Sequence, residues 1–188
     1  MYQALKVCTV FILVLFTASC GDNDLRPKPQ AQLALQYPSP EYEKLIKENC
    51  PFEFEINTYA RVLAKSDCSM KIEYPFMDAT VYMDYAPVQN NIRELLIDGQ
   101  KLSFSHNRMA DVIDDKIYLN PDTSVYGMMY AIEGNAASNV QFYVTDSIHN
   151  FVTASLYFDR APHYDSIYPA IDYIKLDMRK MMESMNWK

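Results

Sequence analysis

Glycine is scarce in this chain, with only 4 residues among 188. Gly21 lies close to the N-terminus, so Gly99, Gly127 and Gly134 are the only glycines in the rest of the chain. A loop that cradles phosphate depends on glycine, and the sequence contains no P-loop, GxGxxG or GxSxG motif. The sequence therefore carries no signature of a nucleotide-binding protein or a serine hydrolase.

Histidine is also rare, and His106, His149 and His163 are the three present. None has a neighbour at a zinc-ligand spacing such as HxxxH, so we interpret them as residues of loops or helix ends. The paired carboxylates Asp114 and Asp115 are predicted to lie in a turn, where water solvates them. We therefore expect no cofactor, no metal and no enzymatic activity, although catalytic residues scattered along the chain would leave no such motif.

Positive charge is in short supply, with 17 Lys and Arg against 24 Asp and Glu, a net charge of −7. Loss of residues 1–19 would remove Lys6 and no acidic residue, which makes the net charge −8. This balance argues against a nucleic-acid partner, whose phosphates need a basic face. It also argues against electrostatic binding to anionic lipid.

The N-terminus has the layout of a secretory signal. Lys6 is followed by an apolar run over 7–16, which is shorter than the ~20 residues that span a bilayer. The small residues of Ala18-Ser19 then precede Cys20. A cysteine at this position predicts a lipoprotein with a signal peptide over 1–19, whose Cys20 carries several acyl chains such as palmitate.

An ordinary signal peptide with a chance cysteine is the alternative, and Thr17 stands where leucine is usual.

Beyond the anchor, four prolines and a Gln-rich stretch predict a tether over 20–40. Residues 41–188 are then expected to form a single domain. Gly21 follows Cys20 where an aspartate would retain a lipoprotein at the inner membrane, so we expect an outer-membrane anchor with the domain in the periplasm.

Two cysteines remain in the predicted domain, Cys50 and Cys68. Export from the reducing cytosol favours a disulfide between them, closing a loop of ~20 residues worth roughly 3 kcal/mol. Two free buried thiols are the alternative. A metal pair or a catalytic thiol is disfavoured, because there is no CxxC motif and no histidine nearby in the sequence.

Alternation of apolar and polar residues predicts about seven strands. They cover 51–57 (with 59–63 as a continuation), 69–74, 80–85, 112–119, 124–132, 140–145 and 151–158. Helical spacing predicts two main helices, one over 89–107 and one at the C-terminus, capped by Ser166 and carrying a methionine-rich stripe. A short helix is predicted over 41–48. Runs of strands joined by short turns indicate an α+β fold, a mostly antiparallel sheet with the two main helices packed on it.

The methionine-rich stripe has two interpretations, a partner groove or a helix face packed on the sheet, and we favour packing.

The segment 132–138 also has two interpretations. It is either a wide hairpin connection in which Gly134 or Asn135 has positive φ, or an edge where Glu133, Gly134, Asn135 and Ser138 meet a partner. Ser147 and Ser166 each follow an aspartate and precede an isoleucine, a pattern of O-glycosylation sites. Because Ser166 is already explained as a helix cap, Ser147 is the candidate for O-glycosylation.

The chain resembles the family of the gliding motility lipoprotein GldD along its whole length. The resemblance is carried by runs of residues at 50–52, 59–60, 125–127, 132–138, 140–143, 156–158, 161–162, 165–166 and 187–188. It implies a lipoprotein of the cell envelope, acylated at Cys20 and needed for gliding over surfaces. It also implies partners among other gliding-motility or type IX secretion proteins and attaches no catalytic activity to the family. An accessory assembly protein is the function we expect, with an envelope hydrolase or a ligand-binding lipoprotein as the alternative.

Overall fold

The computed structural model describes residues 37–104, 112–159 and 163–188. The predicted signal peptide, Cys20, most of the predicted tether and His106 lie outside these residues, so what the sequence indicates there stays a prediction. Two sheets are present in this part of the chain. The larger contains β3 (Arg61–Ala64), β4 (Met70–Tyr74), β5 (Ala79–Pro87), β6 (Val112–Asn120), β7 (Val125–Glu133), β8 (Val140–Thr145) and β9 (Asn150–Phe158). The smaller contains β1 (Tyr42–Ile46), β2 (Phe52–Asn57) and β10 (Asn186–Trp187).

All strand pairs are antiparallel, and the larger sheet has the order β3-β4-β5-β9-β8-β7-β6. In the smaller sheet β2 lies between β1 and β10. Two helices accompany the sheets, α1 (Ile92–Phe104) and α2 (Tyr164–Glu183), with a 3₁₀ turn at Pro75–Met77. The predicted α+β class, a mostly antiparallel sheet with two main helices, is confirmed. The described residues form ten strands in two sheets and not about seven in one, because the predicted strand over 51–57 and its continuation over 59–63 correspond to β2 and β3, which belong to different sheets. No helix in the described ranges is long and apolar enough to cross a bilayer.

The two helices pack on opposite faces of the larger sheet. Successive side chains of a strand point to opposite faces, and β8 shows this directly. Phe142 and Val144 belong to the cluster that includes the buried face of α2, whereas Tyr143 belongs to the cluster beside α1. The methionine-rich stripe of α2 is buried in the first cluster, so its interpretation as a packed helix face is confirmed.

Two glycines permit close packing in this core. A Cβ built on Gly127 would lie 2.1 Å from the carbonyl oxygen of Tyr143 on the neighbouring strand, so no side chain fits there. A Cβ on Gly99 of α1 would lie 3.3 Å from the ring of Phe151, which lets the helix approach the sheet closely. Gly99 therefore lowers the helix propensity of α1 but serves its packing.

Three local expectations are wrong. The segment 41–48 is not a helix, because β1 pairs with β2 along its whole length and this pairing overrides local propensity. Asp114 and Asp115 lie within β6 and not in a turn. Ser166 does not cap the C-terminal helix, since α2 begins two residues earlier at Tyr164.

Candidate functional site

The loop between β7 and β8 is held by its own polar groups. Gly134 has φ 100°, a left-handed conformation that favours glycine, as one interpretation of this segment predicted. The buried amide of Asn139 donates hydrogen bonds to the carbonyl oxygens of Ile132 (2.9 Å) and Gly134 (3.0 Å). These hydrogen bonds hold the loop in a defined conformation.

Exposure alternates along this loop. Glu133, Asn135 and Ala137 face solvent, whereas Gly134 and Ser138 are buried. The Ser138 side chain is 0% exposed, and its hydroxyl donates to the carbonyl oxygen of Val140. Of the four residues predicted to meet a partner, Glu133 and Asn135 reach the surface while Gly134 and Ser138 shape the loop beneath them.

Asn135 also connects this loop to α2. Its side-chain oxygen accepts a hydrogen bond from the backbone N–H of Tyr164, at 3.0 Å. The first N–H groups of a helix lack partners within the helix, and His163 at the N-cap makes no side-chain cap. Asn135, 29 positions before Tyr164 in the chain, thus provides part of the helix capping that we predicted for Ser166.

A cleft of about 270 Å³ opens where this loop meets the start of α2. It is lined by Gly134, Asn135, His163, Tyr164, Asp165 and Ser166. The side chains of His163, Asp165 and Ser166 are exposed. The cleft offers a carboxylate, an imidazole, an amide and a hydroxyl to an incoming group, in a site that remains open to water. Among the described residues no group of three His, Cys, Asp or Glu is placed to hold a metal ion.

A buried carboxyl that the sequence analysis missed lies on α2. Asp177 is 1% exposed and accepts hydrogen bonds from the Tyr42 hydroxyl (2.7 Å) and the Asn57 amide (2.8 Å). The same amide donates to the Tyr173 hydroxyl at 3.0 Å. The Tyr74 hydroxyl is buried and interacts with this carboxyl without a hydrogen bond of regular geometry.

Burial raises the pKa of Asp177, although the hydrogen bonds from Tyr42 and Asn57 act in the opposite direction. Burial also raises the pKa of Tyr42, helped by its hydrogen bond to Asp177. Because these groups join α2 to β1 and β2 and the carboxyl at their centre is 1% exposed, we interpret them as structural.

The structure joins Cys50 and Cys68 in a disulfide, with 5.5 Å between their Cα atoms. Cys50 precedes β2 of the smaller sheet, and Cys68 precedes β4 of the larger one. The bond therefore links the two sheets near the ends of these strands. Both side chains are buried.

Ser147 lies in the turn between β8 and β9, with its side chain exposed and φ 68°. Asp146 organises the turn by accepting hydrogen bonds from the backbone N–H groups of residues 148, 149 and 150. Burial acts to raise the pKa of Asp146, but these bonds and the Asn150 amide outweigh it and hold the pKa below its usual range. Since β8 runs from the loop of Glu133 to this turn, the two candidate sites lie at opposite ends of the larger sheet.

Comparisons with known proteins give the chain a family and a related fold. A model of the gliding motility lipoprotein GldD family matches residues 22–187. The solution structure of cyanobacterial PsbP (CyanoP) from Synechocystis sp. PCC 6803 is similar with a TM-score of 0.50 and 8% identity. That similarity covers 86% of this chain and 100% of the cyanobacterial one, and at this identity it concerns the fold alone. No curated protein sequence matches the chain.

Proposed function

The chain belongs to the family of the gliding motility lipoprotein GldD, and from this membership we propose that it acts by binding and not by catalysis. In this role it is an accessory or assembly component of the envelope that associates with the gliding and type IX secretion machinery. Its partner is another protein of that machinery.

The proposed anchor is the lipid on Cys20, exposed as the new N-terminus once residues 1–19 are removed. Small residues before Cys20 and the lipoprotein family support it. The absence of aspartate after Cys20 supports an outer-membrane position with the domain facing the periplasm. Because the chain is acidic, lipid and not charge is the attachment in this proposal.

The proposed partner site is the surface formed by the loop of Glu133 and the start of α2. The observation that carries it is the shared cleft, in which a loop of fixed conformation and a helix terminus present several polar groups together. Loops held by a rigid scaffold often carry binding function. The small side chain of the exposed Ala137 lets a partner backbone approach closely, while the side chains of Glu133 and Asn135 can orient it.

An envelope hydrolase is the runner-up, and the same cleft is where its residues would be sought. Against it, His163 and Asp165 are exposed to water, whereas catalysis gains from groups held in a dry and preorganised site. The one described carboxyl that is deeply buried, Asp177, takes part in the network with Tyr42 and Asn57.

Substitution of Ala137 by arginine tests the partner site. Ala137 is exposed, so the larger cationic side chain covers the loop surface with little effect on folding. We expect normal expression and melting with lost gliding and a changed set of proteins crosslinked in intact cells. Ala64→Arg is the matched control, since Ala64 is exposed at the end of the edge strand β3, which β4, β5 and β9 separate from β8.

Asn135 needs a separate design because it also caps α2. Asn135→Ala removes the acceptor for Tyr164 N–H and should destabilise the domain by about 1 kcal/mol. Asn135→Asp keeps the acceptor oxygen and changes only the group offered to a partner. Gliding and a partner set that match the wild type in both Ala137→Arg and Asn135→Asp would rule this surface out.

A further inference from the structure

An apolar surface of six residues lies where the described chain begins. Tyr37, the first described residue, packs against Tyr173 of α2 with ring centroids 5.4 Å apart. Around this pair a small apolar cavity is lined by aromatic residues, Pro38 and Met77, with no charged side chain. We call this surface the aromatic patch, formed by Tyr37, Pro38, Tyr59, Phe76, Met77 and Tyr173.

Phe76 is strongly exposed within the aromatic patch, with 86% of its surface open to solvent, and Tyr59 is 43% exposed. Phe76 is held outward by a defined turn. Pro75 fixes the backbone before it, and Asp78 after it has φ 47° and accepts a hydrogen bond from the N–H of Asp159. A phenylalanine presented in this way beside tyrosines is typical of a surface that meets a protein or a lipid.

The position of the aromatic patch along the chain favours lipid. Tyr37 follows Cys20 by 17 residues, a length that reaches at most about 60 Å when fully extended. A domain anchored at Cys20 therefore stays close to the bilayer, and a weak contact is populated because the lipid is always within reach. Tyr37 is the described residue nearest to Cys20 in the sequence, so the aromatic patch contains the part of the described domain that is closest to the anchor along the chain.

The charges beside the aromatic patch select the kind of lipid. The whole chain has an excess of acidic residues, and one of them, Asp159, is exposed beside the turn of Phe76, where its N–H donates to the carbonyl oxygen of Asp78. An anionic surface would repel them, whereas aromatic side chains insert at a zwitterionic interface without needing basic residues. We propose that the aromatic patch contacts the zwitterionic bilayer that holds the N-terminal lipid, a proposal that rests on the anchor proposed above.

Tryptophan fluorescence in the full-length lipidated protein tests this contact. Phe76→Trp and, as a matched control, Ile148→Trp are each made in a Trp187→Phe background, which removes the single natural tryptophan. Ile148 is 66% exposed and lies beyond the far end of β5 from Phe76. The nine residues of β5 separate the two probes by about 30 Å. Both proteins are reconstituted into phosphatidylcholine vesicles with brominated acyl chains, which quench tryptophan on contact.

The Phe76→Trp protein should lose most of its emission in brominated vesicles relative to unbrominated ones, while the Ile148→Trp protein keeps its emission. Addition of anionic phosphatidylglycerol should not increase the quenching. Equal emission from the two probes, or quenching that depends on anionic lipid, would overturn the proposal and leave the aromatic patch to a protein partner. Flotation with the vesicles reports the anchor separately. If the protein does not float, quenching at high lipid concentration still decides whether the aromatic patch binds lipid.

Discussion

Asp177 provides the sharpest test of how this fold is held together. Its carboxyl joins α2 to the smaller sheet through the Tyr42 hydroxyl at 2.7 Å and the Asn57 amide at 2.8 Å. Substitution by alanine removes both acceptors at once. Asn57 is 0% exposed and cannot turn to water, because its own oxygen already accepts from the N–H of Tyr59.

The magnitude follows from these two contacts. A hydrogen bond to a charged group contributes about 1.5–3 kcal/mol, and a buried donor left without a partner costs about 1–3 kcal/mol. Tyr42 is a partly exposed residue, so its hydroxyl recovers some of this loss from water. Burial raises the pKa of Asp177, so ionising the carboxyl at neutral pH already costs some stability that alanine would regain. We expect Asp177→Ala to lower the free energy of unfolding by about 3 kcal/mol.

Urea unfolding measures this change. With a slope of about 2 kcal/mol per molar urea, a loss of about 3 kcal/mol lowers the midpoint by about 1.5 M. Asp172→Ala on the same helix is the control, since the side chain of Asp172 is half-exposed and forms an ion pair with Lys175 at 2.9 Å. Surface pairs contribute about 0–1 kcal/mol. A difference of less than about 1 kcal/mol between the two variants would refute the assigned role of the buried carboxyl.

The pH dependence gives a second readout of the same group. The pKa of Asp177 is raised in the folded protein. The folded carboxyl therefore keeps its proton over a pH window that begins at the unfolded pKa of about 3.9. Its contribution to stability is full below that window and is lost as the pH rises through the folded pKa. Asp177→Asn does not titrate, so its deficit relative to wild type should be larger at acidic pH than at pH 7. A deficit that is larger at pH 7 than at acidic pH would mean that the hydrogen bonds lower the pKa of Asp177 more than burial raises it.

Four further outcomes are expected. Mass spectrometry of the native protein should find acylated Cys20 at the N-terminus, and an unmodified cysteine would contradict the anchor. Non-reducing peptide mapping should join Cys50 to Cys68, and loss of this bond should cost about 3 kcal/mol; two alkylatable thiols would exclude it. If Ser147 is glycosylated, Ser147→Ala lowers the intact mass by the glycan, and a mass equal to the bare lipidated chain removes the idea. Gly127→Ala should prevent normal folding, since its Cβ would meet a carbonyl oxygen at 2.1 Å; wild-type melting would refute this close approach.

Elements whose pattern reflects their own packing were predicted well from the sequence. The strand over 140–145 coincides with β8, and the apolar stripe of the C-terminal helix is buried as expected. In both cases the period of the apolar residues follows directly from the face that they bury. The same stripe contained a signal for Asp177, because this acidic residue falls at helical spacing between Ile174 and Met181 on the buried face.

Features that depend on distant pairing could not be predicted in the same way. The segment of β1 has helix-compatible spacing, and its extended form follows from pairing with β2. The capping of α2 by Asn135 depends on how the β7–β8 loop is placed beside Tyr164. Neither contact leaves a local pattern, because the partner lies elsewhere in the chain.

Strand directions relate the proposed sites to one another. β5 and β8 are both antiparallel to β9, so they run in the same direction. Phe76 precedes β5, and the loop of Glu133 precedes β8. The aromatic patch and the partner loop therefore lie toward the same end of the larger sheet, and Ser147 lies at the other. If the aromatic patch rests on the bilayer, the partner loop faces a zone close to that membrane and Ser147 points away from it. A partner that reaches the loop of Glu133 must then itself extend close to the membrane surface, which favours a membrane-embedded or lipid-anchored protein over one diffusing freely in the periplasm.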